Sequence, residues 1–458
     1  MTAPREALAS LWRSTGLPQE ALRFADLTGT EPVFPSSFAV GTAAQASIAA
    51  AALAACEVGH LRGAARQRVA VDMAHAATEC TAWFAIDGKV PDLWDPFSGL
   101  YRCADGWVRV HANFRHHRDG ALELLGLDPA TATRAQADAA MLRWKARDFE
   151  DASARAGLVA TALRTFAEWD ASPQGQAIAA QPLVNIERLG DAPVLALPPL
   201  EPDQRPLEGV KVLDLTRILA GPVGGRMLAA YGADVMLVNS PHLPNIDAIA
   251  DTSRGKRSCH VDLRTARGRE DFEALLAQAH VVIQGYRPGG LDGLGYGPGD
   301  LARRRPGLVS LWLSAYGPQG PWHDRRGFDS LVQTAMGFNH AEGEAAGSGP
   351  KALPMQVLDE ASGALIAAMA SALLHRQQRE GGSWLARVSL AQTAHWLRSL
   401  GRVRDGLAAK PPSRDPWVEH ADSGFGRLSG IAHSAHLAAT PARWLRPSER
   451  PGTSPPHW

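Results

Sequence analysis

The sequence predicts an α/β protein: a doubly wound parallel sheet in its second half, with a smaller α/β domain placed ahead of it. Three observations carry this. Beyond residue 207, strand-like runs alternate with helical ones, the rhythm of βαβ units. Ahead of them, residues 197–206 hold four prolines in ten positions, the clearest linker in the chain. Residues 99–111 read as two short strands around an Ala-Asp-Gly turn, a hairpin set in otherwise helical surroundings.

Length and composition frame the reading. At roughly 150 residues per domain, 458 residues suggest about three domains. Such a chain can bury its apolar surface without disulfide or metal staples. Hydrophobic residues make 45% and charged ones 21%, the balance of a globular rather than a disordered protein. Lys and Arg number 47, as do Asp and Glu. Zero net charge argues against nucleic-acid or anionic-membrane partners, although a local cationic pocket remains compatible with it. Cys56, Cys80, Cys103 and Cys259 lie far apart, with no C-x-x-C pair and no spacing suited to a metal or a disulfide framework. Residues 1–11 lack a signal-peptide core, and the Ala-dominated stretch 38–56 is slightly too mild for a bilayer span. The expectation is a cytoplasmic protein with no membrane partner.

Taken in order, residues 42–61 are Ala-rich without proline and read as a buried helix. Residues 68–73 alternate like a strand, and 118–180 are mostly helical in pattern. After the linker come a strand at 210–215, a helix from Gly221-Pro222 to Tyr231, and a strand at 233–238. A helix at 266–279 and strands at 281–284 and 307–313 follow, then a second Ala-rich helix at 361–379. The last sixty residues, rich in Pro, Ser and Arg, read as an irregular wrap-around segment. One internal echo is present: at an offset of 317, residues 39–77 resemble 356–394 in pattern.

Few residues advertise chemistry. The turn from Thr216 and Arg217 to Ala220-Gly221-Pro222 opens a helix with small residues, where free N–H groups favour an anionic ligand; an ordinary βα loop is the alternative. No G-x-G-x-x-G follows the first strand, so a dinucleotide fingerprint is absent. Arg254-Gly-Lys256-Arg257-Ser258, with Arg264, is a basic cluster read as a loop before a strand, able to hold a phosphate or simply to face solvent. Asp359 stands immediately before an apolar helix, as an N-cap or as a nucleophile or base. His116, His117 and His340 are isolated, and neither H-E-x-x-H nor G-x-S-x-G occurs.

Together, the run 207–222 (Leu-Glu-Gly-Val-Lys-Val-Leu-Asp-Leu-Thr-Arg-Ile-Leu-Ala-Gly-Pro) and Gly232-Ala-Asp-Val235 resemble family III CoA-transferases. This is the CaiB/BaiF-like group that includes carnitine–CoA transferase, formyl-CoA transferase and α-methylacyl-CoA racemase. Arg254-Gly-Lys-Arg-Ser258, Val261-Asp-Leu-Arg-Thr265, Tyr286-Arg-Pro-Gly289, Leu291-Asp-Gly-Leu-Gly295, Ser314-Ala-Tyr-Gly317 and Gly327-Phe-Asp-Ser-Leu-Val-Gln333 continue the match in family order over 207–390. The resemblance implies a Rossmann-like large domain and a soluble homodimer. It also implies transfer of CoA from an acyl-CoA to a carboxylic acid acceptor, with CoA as substrate and no tightly bound cofactor or metal.

By position in the family motifs, Asp359, four residues ahead of Gly363, is the implied nucleophile. It would form a mixed anhydride with the acyl group and then an aspartyl-CoA thioester. Arg217, Ala220, Lys256, Arg257, Arg264 and Arg287 would lie along the CoA path. The racemase branch carries a histidine where this chain has Phe328, which disfavours two-base racemisation. Other departures are Asn239 in place of a common Glu, Gln284-Gly285 in place of Glu-Asn, and Gly293 in place of a basic residue.

Order departs further. The family's small domain follows its Asp-bearing helix, whereas here the corresponding segment, from Asp95-Pro-Phe through Leu122-Glu-Leu-Leu-Gly126, comes first. The resemblance thus divides the chain into residues 1–94, carrying the Ala-rich helix of a degenerate copy; the small domain 95–196; the linker 197–206; the large domain 207–400; and a C-terminal segment 401–458. Thr42 falls opposite Asp359, so the first copy is expected to be silent. A proton-transferring acyl-CoA isomerase, racemase or lyase and a non-catalytic CoA-binding protein are the rival readings.

Overall fold

A computed structural model describes every residue except Pro288. Its centre is a seven-stranded sheet in the order Lys256–His260, Asp234–Asn239, Lys211–Leu215, Val281–Gln284, Val309–Ser314, Ser383–Ser389 and Asn185–Gly190. The first six are parallel, and the seventh runs antiparallel to Ser383–Ser389. Numbered by chain position, the six parallel strands read 3-2-1-4-5-6, the doubly wound order whose direction reverses between Lys211–Leu215 and Val281–Gln284. Burial on both faces explains the continuous apolar runs. Val212, Val235, Val281, Ile283, Val309 and Leu311 enter the main core, while Leu213, Leu215, Met236, Val238 and Val282 enter a second one on the opposite face.

Three findings revise the sequence reading here. Lys256–His260 is itself a strand, not a loop, paired in parallel with Asp234–Asn239; Lys256 and Ser258 share one face and are buried. The segment 95–196 does not end as one unit, since Asn185–Gly190 completes the large sheet. Residues 401–458 contain a hairpin, Val418–Ser423 with Gly426–Ile431, and a strand, Ala435–Leu437. The chain end then covers the sheet's other edge: Ser454 N–H donates to the Ser258 carbonyl at 2.8 Å, and Glu449 accepts the Ser258 N–H at 3.0 Å.

The small domain is the antiparallel sheet Gly99–Arg102, Trp107–Val110, Ala160–Ala162 with helices Arg115–Leu124, Arg134–Met141 and Ala146–Arg155 on its own core. The N-terminal segment has no such independence, because its residues from Ala7 onward share the main core with the large domain.

The echo at offset 317 is structural. Val40–Leu61 and Val357–Glu380 start at that spacing with almost the same cap geometry, φ −78° and ψ 59° at Ala39 against −82° and 59° at Gln356. Strands ending at Asp72 and Ser389 keep the offset, as do helices opening at Met73 and Leu390. Both long helices are apolar all round and packed side by side at the centre of the protein. By length and composition alone either could cross a bilayer; both are buried in this fold.

Candidate active site

The cleft is built at the carboxyl ends of the parallel strands, where doubly wound sheets bind ligands. Strand Lys211–Leu215 turns sharply into helix Ala220–Ala230, and the turn forces Ile218 to φ +77°, a strained value for a β-branched residue. From behind, Asp214 braces this turn: it accepts the Thr216 N–H at 3.0 Å and the Lys256 ammonium at 2.8 Å. Lys256 also donates to the Pro222 carbonyl at 2.7 Å and is wholly buried, with burial pulling its pKa down. It therefore supports the loop rather than facing a ligand. Among the described residues, no protein acceptor meets the N–H groups of Ala220 and Gly221, which leaves them free for an anion.

Asp359 stands at one end of this cleft, in the first turn of Val357–Glu380 and not ahead of it as the sequence suggested. Its helix start is held by Asp329, which accepts the N–H groups of Leu358 at 2.8 Å and Asp359 at 3.1 Å and the side-chain amide of Gln333. Asp359's carboxylate has no such donors. Burial pushes its pKa well up, and the neighbouring Asp329 and Glu360 push it further. Of the two aspartates, Asp329 has donors that favour its charged form, whereas Asp359 is held back from ionising by burial and by its acidic neighbours. Glu360 points the other way, with burial raising it to about 8 against the opposing pull of Arg226.

Gly363 is explained by packing. A Cβ there would stand 2.6 Å from the Ala220 carbonyl, and one on Gly224 would stand 2.9 Å from the Gly363 carbonyl. The helix that presents the anion-binding turn and the one that carries Asp359 cross backbone to backbone.

The roof comes from the small domain. Phe114, His116 and His117 line the cleft, so the two histidines that looked isolated in sequence face the site. His111 stacks on Phe328 at 3.9 Å between ring centres, and Arg326 donates to His117 at 3.2 Å and to the Gly157 carbonyl at 3.0 Å. Burial drives both His111 and His117 down to about 3, so both are neutral imidazoles. Of the residues expected along a CoA path, Arg217, Ala220, Arg264 and Arg287 line the cleft, whose volume is about 600 Å³. Arg264 forks onto Asp262 at 2.8 and 2.9 Å. Arg257 lies outside it, paired with Asp234 at 2.7 Å and bonded to the His457 carbonyl at 3.0 Å. Among the described residues, no cluster of three or more His, Cys, Asp or Glu side chains is placed to hold a metal ion.

Sequence reasoning gave no role to Asp329, Glu360 or the histidines. A signal existed only for Asp329, which lies in the Gly327-Phe-Asp motif; the others are brought in by the fold.

A parallel α/β sheet whose first turn leaves N–H groups free, a buried carboxylate and a cation-lined cleft suit an anionic substrate. The model of "CoA-transferase family III" matches residues 17–197 and 207–415, and the chain belongs to that family. It is 30% identical over 388 residues to an acyl-CoA transferase of Gibberella moniliformis, covering 75% of this chain and 68% of that one. A probable fatty acyl-CoA transferase of Mycobacterium tuberculosis is 36% identical over 210 residues, or 43% of this chain and 53% of its own length. A succinyl-CoA–D-citramalate CoA-transferase of Chloroflexus aurantiacus is 28% identical over 273 residues, covering 52% and 67%. Among solved structures, a CaiB/BaiF family protein of Brucella suis superposes with a TM-score of 0.38 at 28% identity, over 49% of this chain and 65% of that one.

Proposed function

We propose that this chain transfers coenzyme A between an acyl-CoA and a carboxylic acid, with Asp359 as the nucleophile. The observation that carries this reading is the placement of Asp359: buried at the end of the cleft, opposite the free N–H groups of Ala220 and Gly221, and without hydrogen-bond donors of its own. A carboxylate that is costly to ionise is a strong nucleophile, and acylation discharges it. Attack on the thioester carbonyl forms a mixed anhydride and releases CoA thiolate. The thiolate returns to the aspartyl carbonyl, freeing the acyl group as its acid and leaving an aspartyl-CoA thioester. The acceptor carboxylate then takes the acyl position, and the same two steps run backwards to give the new acyl-CoA. Donors aimed at each tetrahedral oxyanion lower both barriers. Arg217, Arg264 and Arg287 supply cations for the phosphates of CoA.

Phe328, stacked on His111, stands at the motif position where the racemase branch carries a histidine, and it supports transfer over racemisation. The walls support a reading of one active site per chain: the roof belongs to residues 95–196 and the floor to 207–400, and Thr42, which offers no carboxylate, would leave the first copy silent. Incubation with acyl-CoAs and hydroxylamine, followed by peptide mapping, tests the reading. A hydroxamate on Asp359, absent in Asp359→Asn, is the expected result; CoA binding with no modification across a broad acyl panel would overturn it.

A further inference from the structure

Away from the cleft, a second cavity of about 290 Å³ opens where the N-terminal segment, the approach to the small domain and the C-terminal segment meet. Its volume is close to the lower bound for small-molecule sites. Phe34, Trp83, Phe84, Val90 and Leu93 give it an apolar wall, with Pro411 and Pro412 on the facing side. Two of its polar groups are already engaged as donors: the Thr78 hydroxyl to the Ala74 carbonyl and the Thr81 hydroxyl to the Thr78 carbonyl, each at 2.7 Å. The cation at its mouth is not. Arg414 lies with its guanidinium 4.7 Å from the centre of the Trp83 ring, and among the described residues no carboxylate pairs with it.

The backbone is also strained there. Four non-glycine residues among those described have positive φ; Ile218 lines the cleft, and Ala82, at φ +51°, lines this cavity. An alanine held in that region indicates surroundings that over-determine the loop, and such strain concentrates at ligand sites. Val90, Pro91 and Leu93 run directly into Trp94, whose ring meets His111 edge-on at 5.9 Å, the same His111 that stacks on Phe328 in the cleft.

We propose that this cavity is a binding site for a small hydrophobic carboxylic acid, its apolar body against Phe34, Trp83 and Phe84 and its carboxylate on Arg414. An aromatic floor with an unpaired arginine at the rim suits an anion on an apolar stem, and the guanidinium fork suits a carboxylate. The space is too small for a CoA thioester. The site is independent of the transfer chemistry and would stand if that reading failed.

The test is calorimetric titration of the full chain with 3-phenylpropionate, and with octanoate as a second probe. Both acids are expected to bind the wild type and Arg326→Gln, a change in the cleft lining, with equal affinity. Arg414→Gln should weaken them about fivefold, the worth of one partly exposed ion pair, and Arg414→Lys should restore most of it. The uncharged 3-phenylpropionamide should bind the wild type as weakly as the acid binds Arg414→Gln. Equal affinity in wild type and Arg414→Gln, loss of binding in Arg326→Gln, or no binding of either acid would overturn the proposal. Arg414 is exposed, so its replacement leaves folding intact.

Discussion

The two Ala-rich helices at the centre of the protein, 22 and 24 residues long, share a start geometry and a following strand and helix, yet it is the second that lines the cleft. In each, a carboxylate from another segment receives the N–H of the third helical residue: Glu31 that of Thr42 at 2.7 Å, Asp329 that of Asp359 at 3.1 Å. The capping device survives in both copies although the capping residue differs. At the capped position, however, Thr42 is wholly buried, whereas Asp359 opens into a cleft of about 600 Å³. Four residues on, Gly363 lets helix Ala220–Ala230 cross in backbone contact, while its counterpart at the 317-residue offset is Ala46. The two halves thus share a scaffold, and only the second presents a carboxylate to the cleft.

The largest effect expected of a change to this pair is at Asp359. Asp359→Asn should lower turnover by about 10³-fold or more, because an amide cannot form the covalent intermediate, while CoA still binds. Thr42→Asp should create no second trapped site. Labelling of the introduced carboxylate in that variant would show that the first copy still meets substrate.

Next in size is the charge cluster that joins the copies. Arg226, from the second, is shared by Glu79, from the first, at 3.9 Å, by Glu360 at 4.0 Å and by Asp251, while Glu79 also lies 2.9 Å from His433 and accepts the Ser434 N–H at 2.8 Å from the C-terminal segment. Burial alone would raise Glu79, but His433, Arg226 and Ser434 outweigh it and hold the carboxylate well below its ordinary range. A depressed folded pKa gives stability that is present above the unfolded value of 4.5 and lost as pH falls below it. Glu79→Gln should therefore cost about 3–5 kcal/mol in chemical denaturation at pH 7, the range for breaking a buried pair. A loss below about 1 kcal/mol would show that the copies are not held together here.

Gly363→Ala should cost about 1–3 kcal/mol, since its methyl meets a carbonyl that cannot yield, and should lower turnover by shifting the turn at Ala220. Ala46→Gly, the mirror change, should cost only about 1 kcal/mol of helix propensity and leave turnover alone. Equal costs at the two positions would mean that the crossing helix does not distinguish the copies.

Sequence patterns reached the strands of the large sheet because burial on both faces writes continuous apolar runs such as Val281–Gln284. They missed Lys256–His260, whose basic residues hide a strand alternation, and therefore placed Lys256 on the ligand path when it lies behind the loop, on Asp214. They reached Asp359 through resemblance, but not its surroundings. Asp329, His117 and Glu360 come from distant segments, and nothing local to any of them reports that they converge. Distance along the chain hides this further, because the roof over Asp359 is supplied from more than two hundred residues upstream.

The effect that depends most on pH, and the one that most sharpens the contrast, is at Glu360. Around Arg226 two buried glutamates behave in opposite ways: Glu79 is bonded and kept ionised, while both Glu360 oxygens lack partners and its Oε2 is 4.0 Å from Arg226. Burial raises Glu360 from 4.5 to about 8. A raised carboxylate pKa means that the folded state holds a proton the unfolded state has lost, so its contribution to stability is full below pH 4.5 and declines as pH rises to about 8. The decline amounts to about 1.4 kcal/mol per pH unit while only the unfolded state is ionised. Glu360→Gln cannot ionise. Its stability should equal that of the wild type near pH 4 and exceed it increasingly up to pH 8, whereas Glu79→Gln should be the weaker protein throughout that range. Denaturation midpoints at several pH values measure both. Parallel profiles for wild type and Glu360→Gln would show that Glu360 is ionised in the fold and that the two copies bring equivalent charges to Arg226.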